Sequence, residues 1–336
     1  APTEVLSSVV LSQVDEHAPF GGVVPEIAAR AHVETIGSIV AKALQDGQIG
    51  GAELDGVAAT AGPGLVGGVM VGLSFAKGLC LALDLPLVAV NHLEGHAVSA
   101  RLAHDAPYPF LLLLVSGGHC QLLEVAGIGA YRRLGSTIDD AAGEAFDKIG
   151  GALGLAYPAG PALETLAAGG DPARFPLPRA LQGRAGCDFS FSGLKTAAAR
   201  MAEGLASDAD RRDLAAAAQA AIARQLADRT ARAMDIYLPS HTPDTRRLVV
   251  AGGVAANGAV RAALQDLATS RGFTFLAPPL AYCTDNGAMI ALAGAERLAA
   301  GLTDGLDVVA RPRWPLDAEA ARLTPTHLAG RKGAKA

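Results

Sequence analysis

Aromatic residues supply only 4% of this 336-residue chain, and charged residues only 18%. Lysine plus arginine number 28 against 33 aspartate plus glutamate, a formal charge of −5, which excludes a chain-wide basic surface for nucleic acid. The one small basic run is the tail "GRKGAKA" at 330–336, read as a solvated, disordered end. Any contact with nucleic acid is therefore local or shared with a partner. The four cysteines, Cys80, Cys120, Cys187 and Cys283, form no CxxC pair. That argues against a zinc ribbon, a redox pair or a disulfide framework, and fits a reducing cytoplasm. No segment has the charged start and apolar run of a signal peptide. The longest purely apolar run, "FLLLLV" at 110–115, is too short to cross a bilayer. The apolar stretch 65–85, interrupted by Lys77 and Asp84, reads as a buried helix, so a cytoplasmic protein without a membrane partner is expected.

What is plentiful is small and apolar. Half the residues are hydrophobic and 40 are glycine, which suits a large core with close helix–sheet packing. At about 150 residues per domain, the length predicts two domains. The order of patterns is strand at 5–14, helix at 24–44 with Pro25 near its start, strand at 54–61, helix, strand at 86–90, then a helix carrying the histidines of "NHLEGH". Alternating strands and helices predict an α/β chain. After "DAPYP" at 105–109, a plausible linker, "FLLLLVSGGHCQLLEV" predicts a β-hairpin. A helix follows at about 139–154, then a Gly- and Pro-rich stretch without clear period to 195, a long helix at 214–238, and strand, glycine turn and helix from 246. A last helix is expected to be capped by Thr284 or Asp285.

Several motifs could carry chemistry. "GPGLVG" at 62–67 fits GxGxxG, but no acid follows the next strand, so a tight turn with close helix packing is preferred over a dinucleotide site. His92 and His96 share one helical face, which suits a common metal ion and equally suits ordinary packing. The zinc-protease order HExxH is absent; Glu94 lies roughly 200° around the helix from each histidine and faces away. A third ligand must come from elsewhere, and Asp285, beside a helix start, is a candidate as well as a candidate N-cap. The glycine turns of "VSGGH" (115–119) and "AGGVAANG" (251–258) could point N–H groups at a phosphate, or be plain turns. Asp140, Glu144 and Asp147 fall at i, i+4 and i+7, read as the edge of a polar site on one helical face.

In sum, "FGGVVPEIAARAHV", "TAGPGLVGG", "NHLEGH", "LLVSGGHCQL", "TIDDAAGEAFDKIG", "YPAGP", "DFSFSGLKT", "AGGVAANG", "CTDNGAMIA" and "RPRWPL" follow one another over nearly the whole chain. This ordered set resembles the bacterial tRNA threonylcarbamoyl transferases, the TsaD family. The resemblance implies an α/β fold of two actin-like ATPase (ASKHA) lobes with a ligand cleft between them. The first lobe is expected at 1–108, completed by about 296–325, and the second at 109–295. The implied reaction moves a threonylcarbamoyl group from threonylcarbamoyl-AMP to N6 of an adenosine beside the tRNA anticodon. The alternatives are an actin-like ATPase or sugar kinase and a non-catalytic nucleotide-binding scaffold. By the same resemblance His92, His96 and Asp285 hold one divalent metal, iron by usual assignment with zinc as the alternative. Leu114, Val115, Ser116, Gly117, Gly118, Asp147, Gly160 and Asn257 correspond to positions that bind the substrate, an AMP-type ligand or ATP. TsaB, TsaE and tRNA are the implied partners. The family begins with a further buried strand and an acidic loop, of the type "GIETSCDET", ahead of the region matching 5–14. That segment is not in this sequence, so the catalytic group stays unassigned. An incomplete N-terminus is expected, since a lobe short of a strand would expose apolar surface.

Overall fold

The computed structural model describes residues 4–20 and 23–323. The basic tail expected to be disordered lies outside the described residues. After a single turn, α1 (Val14–His17), comes α2 (Pro25–Asp46), with proline in its first turn, where no intrahelical N–H is needed. A parallel pair follows, β1 (Val57–Gly62) and β2 (Leu87–Asn91), joined through α3 (Val66–Leu83). Directly after β2 the chain enters α4 (His92–Val98).

Two expectations for this region are corrected. Residues 5–14 form no strand: they pair with neither β1 nor β2, and Leu6, Val10 and Leu11 stay more than half exposed. The segment lies along α2 instead, where Ser7 Oγ donates to Ala43 O (2.8 Å), so its alternating pattern buries no face. Helix α3 is not buried as a whole. Leu73, Ala76 and Cys80 face the sheet, but Met70 and Leu81 are 53% and 74% exposed. Its apolar residues run all round the helix, while two strands and α2 cover only part of that circumference. By length and hydropathy α3 would also qualify to cross a membrane, a test that core-layer helices of α/β proteins pass too. Lys77 on it donates to Val308 O (2.5 Å).

The second sheet has the order β5-β4-β3-β6-β7, with β3 (Phe110–Val115), β4 (Cys120–Gly127), β5 (Ala130–Ser136), β6 (Arg247–Ala251) and β7 (Thr274–Leu276). Strands β3 and β4 form the expected hairpin, whereas β3, β6 and β7 are parallel. From β3 the chain moves to one side through β4 and β5. It returns through α5 (Ala142–Ala152), α6 (Gly160–Ala167), α7 (Ser192–Ala202) and α8 (Asp208–Tyr237) to place β6 on the other side of β3. Strand order thus reverses between β3 and β6. The crevice at the carboxyl ends of such strands is where open α/β sheets bind ligands.

Alternate residues of β3 build two cores. Leu111, Leu113 and Val115 pack under α5 and α8, while Leu112 and Leu114 join Val249, Ala251 and Leu93 and Ala97 of α4. After α9 (Gly258–Ser270) and α10 (Gly287–Ala299), the chain runs back along the first strands. Asp304 N donates to Leu87 O (2.8 Å) and Arg311 N to Ala61 O (2.7 Å), and Asn91 Nδ2 donates to Trp314 O (2.9 Å). Gly62 is required for this return: at φ +142°, a Cβ there would sit 1.9 Å from Arg311 O. The close packing predicted for "GPGLVG" is thus partly against this returning segment. A short helix, α11 (Ala318–Leu323), ends the described chain.

Candidate metal centre and ligand site

The side chain of Asn91, at the end of β2, accepts from Leu93 N (2.9 Å) and caps α4. This fixes His92 as the first helical residue and His96 one turn on. Leu93 and Ala97, completely buried, anchor the opposite side of the helix on the second sheet. Helix α10 crosses α4 at Gly95, where a Cβ would lie 2.7 Å from Ile290 Cδ1 and 3.3 Å from Met289 Cγ. The absence of a side chain at Gly95 therefore lets α10 approach and bring the residue before its cap to the histidines. That cap is Asn286, accepting from Met289 N (2.9 Å), and not Thr284 or Asp285 as expected. Asp285 is left free to turn its carboxylate onto the histidines. Glu94, 2% exposed, pairs with Arg297 of α10 (3.1 Å). It is spent on holding α4 to α10, consistent with its facing away from the histidine pair.

Asp285 Oδ1 lies 3.4 Å from His92 Nε2 and 3.0 Å from His96 Nε2, and the two rings meet edge to face with centroids 4.8 Å apart. All three donor atoms lie within 4.8 Å of one another. Zinc–nitrogen and zinc–oxygen bonds of about 2.1 Å at tetrahedral or octahedral angles place neighbouring donor atoms about 3.0–3.4 Å apart. Two imidazoles and a carboxylate are donors that a divalent cation takes, and both histidine–aspartate distances match that spacing. Burial alone would raise the Asp285 pKa, but the bonds to His92 and His96 outweigh it and hold the carboxyl well below the usual range. Burial pushes His96 down, more than the Asp285 carboxylate raises it. Neutral imidazole beside ionised carboxylate is the protonation state a metal requires. Without a metal, His96 Nε2 donates to the Asp285 carboxylate (3.0 Å) while Nδ1 has no hydrogen-bond partner among the described residues; a cation between Nε2 and Asp285 would take the place of that proton.

A second cluster surrounds the carboxyl ends of β3 and β6. Ser116 N donates to His119 O (2.8 Å), closing the hairpin around the exposed Gly117 and Gly118. Three backbones meet there. Gly143, in the first turn of α5, donates to Ser116 O (3.2 Å), and a Cβ on it would fall 2.6 Å from that oxygen. Gly252, at φ +97°, would place a Cβ 2.3 Å from Val115 O. Leu114 and Val115 have completely buried side chains, so whatever they offer a ligand comes from the main chain. Asp147 Oδ1 accepts from Ala159 N (2.8 Å) and Gly160 N (3.3 Å), tying α5 to the start of α6. Burial raises the Asp147 pKa, and these two N–H groups offset part of the rise. Asn257 caps α9 through Val260 N (3.0 Å) and donates to Gln219 Oε1 (2.9 Å). Helix α4 packs against both β3 and β6, so the histidines and the hairpin share one sheet.

The expected acidic face is corrected. Helix α5 begins at Ala142, so Asp140 precedes it and does not align with Glu144 and Asp147. Asp140 pairs with Lys195 (2.7 Å) and Lys148 (3.2 Å), and Lys148 also pairs with Glu144 (2.5 Å). Asp139, not singled out from the sequence, accepts from Phe191 N (2.7 Å), Ser192 N (3.2 Å) and Ser190 Oγ (2.5 Å), clasping the start of α7. Two adjacent aspartates before a helix were the only signal for this junction. Burial would raise the Asp140 pKa, but the two ammonium groups outweigh it and hold it below the ordinary value. A depressed carboxylate adds stability above its unfolded pKa of about 3.9, and loses it as pH falls through the folded value. Asp140→Asn is expected to lower the urea midpoint at pH 7 and to shrink the further drop between pH 5 and acid conditions, read by urea titrations at each pH.

The profile of the TsaD family, described as tRNA N6-adenosine threonylcarbamoyltransferase, matches residues 4–292. The chain belongs to this family. A protein of that name from Caulobacter vibrioides is 71% identical over 332 residues, covering 99% of this chain and 90% of its own. One from Maricaulis maris is 59% identical over 337 residues, covering 99% and 89%. Among solved structures, T. kodakarensis HypF superposes with a TM-score of 0.54 at 15% identity, over 80% of this chain and 43% of that one. A full-length HypF in a phosphate- and nucleotide-bound form gives 0.50 at 14% identity, over 71% and 38%. The chain thus spans less than half of each HypF, and the likeness concerns the fold, which is that of the actin-like class. TsaD membership makes the chain a tRNA-modifying transferase, ahead of the ATPase, sugar-kinase and scaffold alternatives.

Proposed function

We propose that this TsaD-family chain transfers the threonylcarbamoyl group of threonylcarbamoyl-AMP to N6 of an adenosine beside the tRNA anticodon, in a site whose metal end is His92, His96 and Asp285. The observation that carries the reading is the meeting of three donors from α4 and the α10 approach, 189 residues apart for His96 and Asp285, at metal-ligand spacing. A bound iron(II), or zinc, would supply a Lewis acid and a template for ligand oxygens. The mixed anhydride is already activated, so the protein's task is to place a weak amine nucleophile against its carbonyl carbon and to hold the departing phosphate. Main-chain N–H groups of Gly117 and Gly118 suit that phosphate, held rigid by Gly143 and Gly252 beneath them, while the Ser116 N–H closes the hairpin on His119 O. Asp147 and Asn257 act by shaping the walls, since their hydrogen bonds go to α6 and to α9 and Gln219.

Two lobes are the arrangement that fits the packing. Residues 109–285 surround the second sheet. Most of the described residues before 109 gather round the first, completed by the segment returning along β1, while α4 packs on both sheets. With the lobes divided as expected near 295, α10 bridges them, since a Cβ on Gly294 would be 2.3 Å from Ala58 Cβ of β1. TsaB and TsaE are the proposed protein partners, in the cytoplasm. The exposed Val33, Val66, Met70 and Leu81 on α2 and α3 support docking of a protein there. Reconstitution with both partners, threonylcarbamoyl-AMP and unmodified tRNA should yield threonylcarbamoyladenosine on nucleoside analysis. Its absence from the complete mixture, with active relatives as control, would overturn the assignment.

A further inference from the structure

A cavity of about 270 Å³ opens between the 178–194 segment and α8, away from the histidines. Its floor is apolar, formed by Pro178, Leu194 and Ala221, and two guanidinium groups, Arg179 and Arg224, stand at it. Neither arginine has an ion-pair or hydrogen-bond partner among the described residues, in a chain whose acids outnumber its bases. The one acid in the lining, Asp228, is already committed to Arg229 (2.6 Å) and Arg232 (3.6 Å). Two like charges facing one cavity without a counter-charge repel, and burial followed by the Arg179 charge lowers the Arg224 pKa accordingly. An anion between them relieves this repulsion.

The surroundings are built to hold this arrangement. Arg229, 1% exposed, donates to the carbonyls of Arg184 (2.9 Å), Gly186 (3.2 Å) and Leu181, and Gln225 donates to Ala180 O (3.0 Å). A buried cation is therefore spent on pinning the loop that carries Arg179. The pinned loop keeps Leu181 at φ +58°, a conformation a leucine adopts only when its surroundings impose it, and such strain gathers at functional sites. Ser190 connects the cavity to the catalytic half: it lines the cavity and donates to Asp139, next to Asp140 and the start of α5.

We propose that this cavity binds a nucleotide unit of the RNA substrate, with a backbone phosphate between Arg179 and Arg224 and the ribose or base over Leu194, Ala221 and Pro178. Arginine pairs are suited to phosphate oxygens, and an apolar floor accepts the flat face of a base. The proposal rests on the tRNA-modifying reading above. It provides a chain of negative net charge with a local anchor for a polyanion.

The test compares wild type with Arg179→Ala, Arg224→Ala and the double substitution, in the complex with its partners, for binding and modification of unmodified tRNA at several salt concentrations. Both side chains are at the surface, so the variants fold. The double variant is expected to raise the KM for tRNA about tenfold at unchanged kcat, and to reduce the slope of log affinity against log salt by about one or more. Metal content and affinity for AMP should stay at wild-type values. Equal tRNA binding and an equal salt slope in wild type and double variant would overturn the proposal. Loss of inorganic phosphate or AMP binding with tRNA binding intact would also overturn it, in favour of a free anion. Failure of the wild-type complex to bind or modify tRNA at all would instead sink the functional reading, and this proposal with it.

Discussion

Replacing His96 by alanine is expected to lower threonylcarbamoyl transfer at least about a hundredfold and to empty the metal site, since deletion of a ligand exceeds the 10–100-fold typical of losing its outer support. The side chain is 1% exposed, so the variant also loses packing between α4 and the Asp285 loop. His92→Ala separates the two effects. Its side chain is 20% exposed, and the same loss of metal and turnover should come with a smaller fall in thermal stability. Product at wild-type level from either variant, by nucleoside analysis with both partner proteins present, would contradict a catalytic role for the triad.

Substituting Gly252 should be as damaging by a different route. An alanine Cβ would meet Val115 O at 2.3 Å and Val115 C at 2.7 Å, from a backbone at φ +97° that L-residues rarely adopt. The atoms it meets are backbone, so relief requires β3 and β6 to shift apart where they carry the hairpin. We expect Gly252→Ala to cost about 2–4 kcal/mol of stability, and to abolish ligand binding even in protein that remains folded. Gly118→Ala is the control: no atom lies within 4 Å of its Cβ position, and its stability should stay within about 0.5 kcal/mol of wild type in urea titration. Similar unfolding midpoints for the two variants would show that the backbone contact at Gly252 carries no weight.

The centre of the second sheet was legible because β3, β6 and most of β4 are buried on both faces and read as apolar runs bounded by glycine turns. "FLLLLVSGGHC" and "RLVVAGG" announce β3, β6 and their turns. The histidine spacing was legible too, but local periodicity could not separate a metal pair from packing. The metal reading proposed above leans on Asp285, whose approach depends on Gly95, whose lack of a side chain admits α10, and on Glu94, whose charge meets Arg297. Such long-range contacts leave no periodic trace. The misreadings have the same origin. Residues 5–14 alternate like a strand but have no partner among the described strands, and α3 is apolar all round without cover all round. Asp140 keeps helical spacing with Glu144 although the helix starts after it, because spacing says nothing of where Asp139 and Asp140 are drawn aside by Ser190, Lys148 and Lys195. The Arg179–Arg224 cavity was invisible for the further reason that Arg229, which pins its loop, lies in a helix whose pattern reads as ordinary.

The most direct test of the account is the metal content of the purified chain, with X-ray absorption at the bound metal, for wild type beside Asp285→Ala. The account predicts one divalent ion per chain with nitrogen and oxygen neighbours at about 2.0–2.2 Å, and its loss from the variant. Equal metal content and an unchanged absorption spectrum in the two proteins would contradict it.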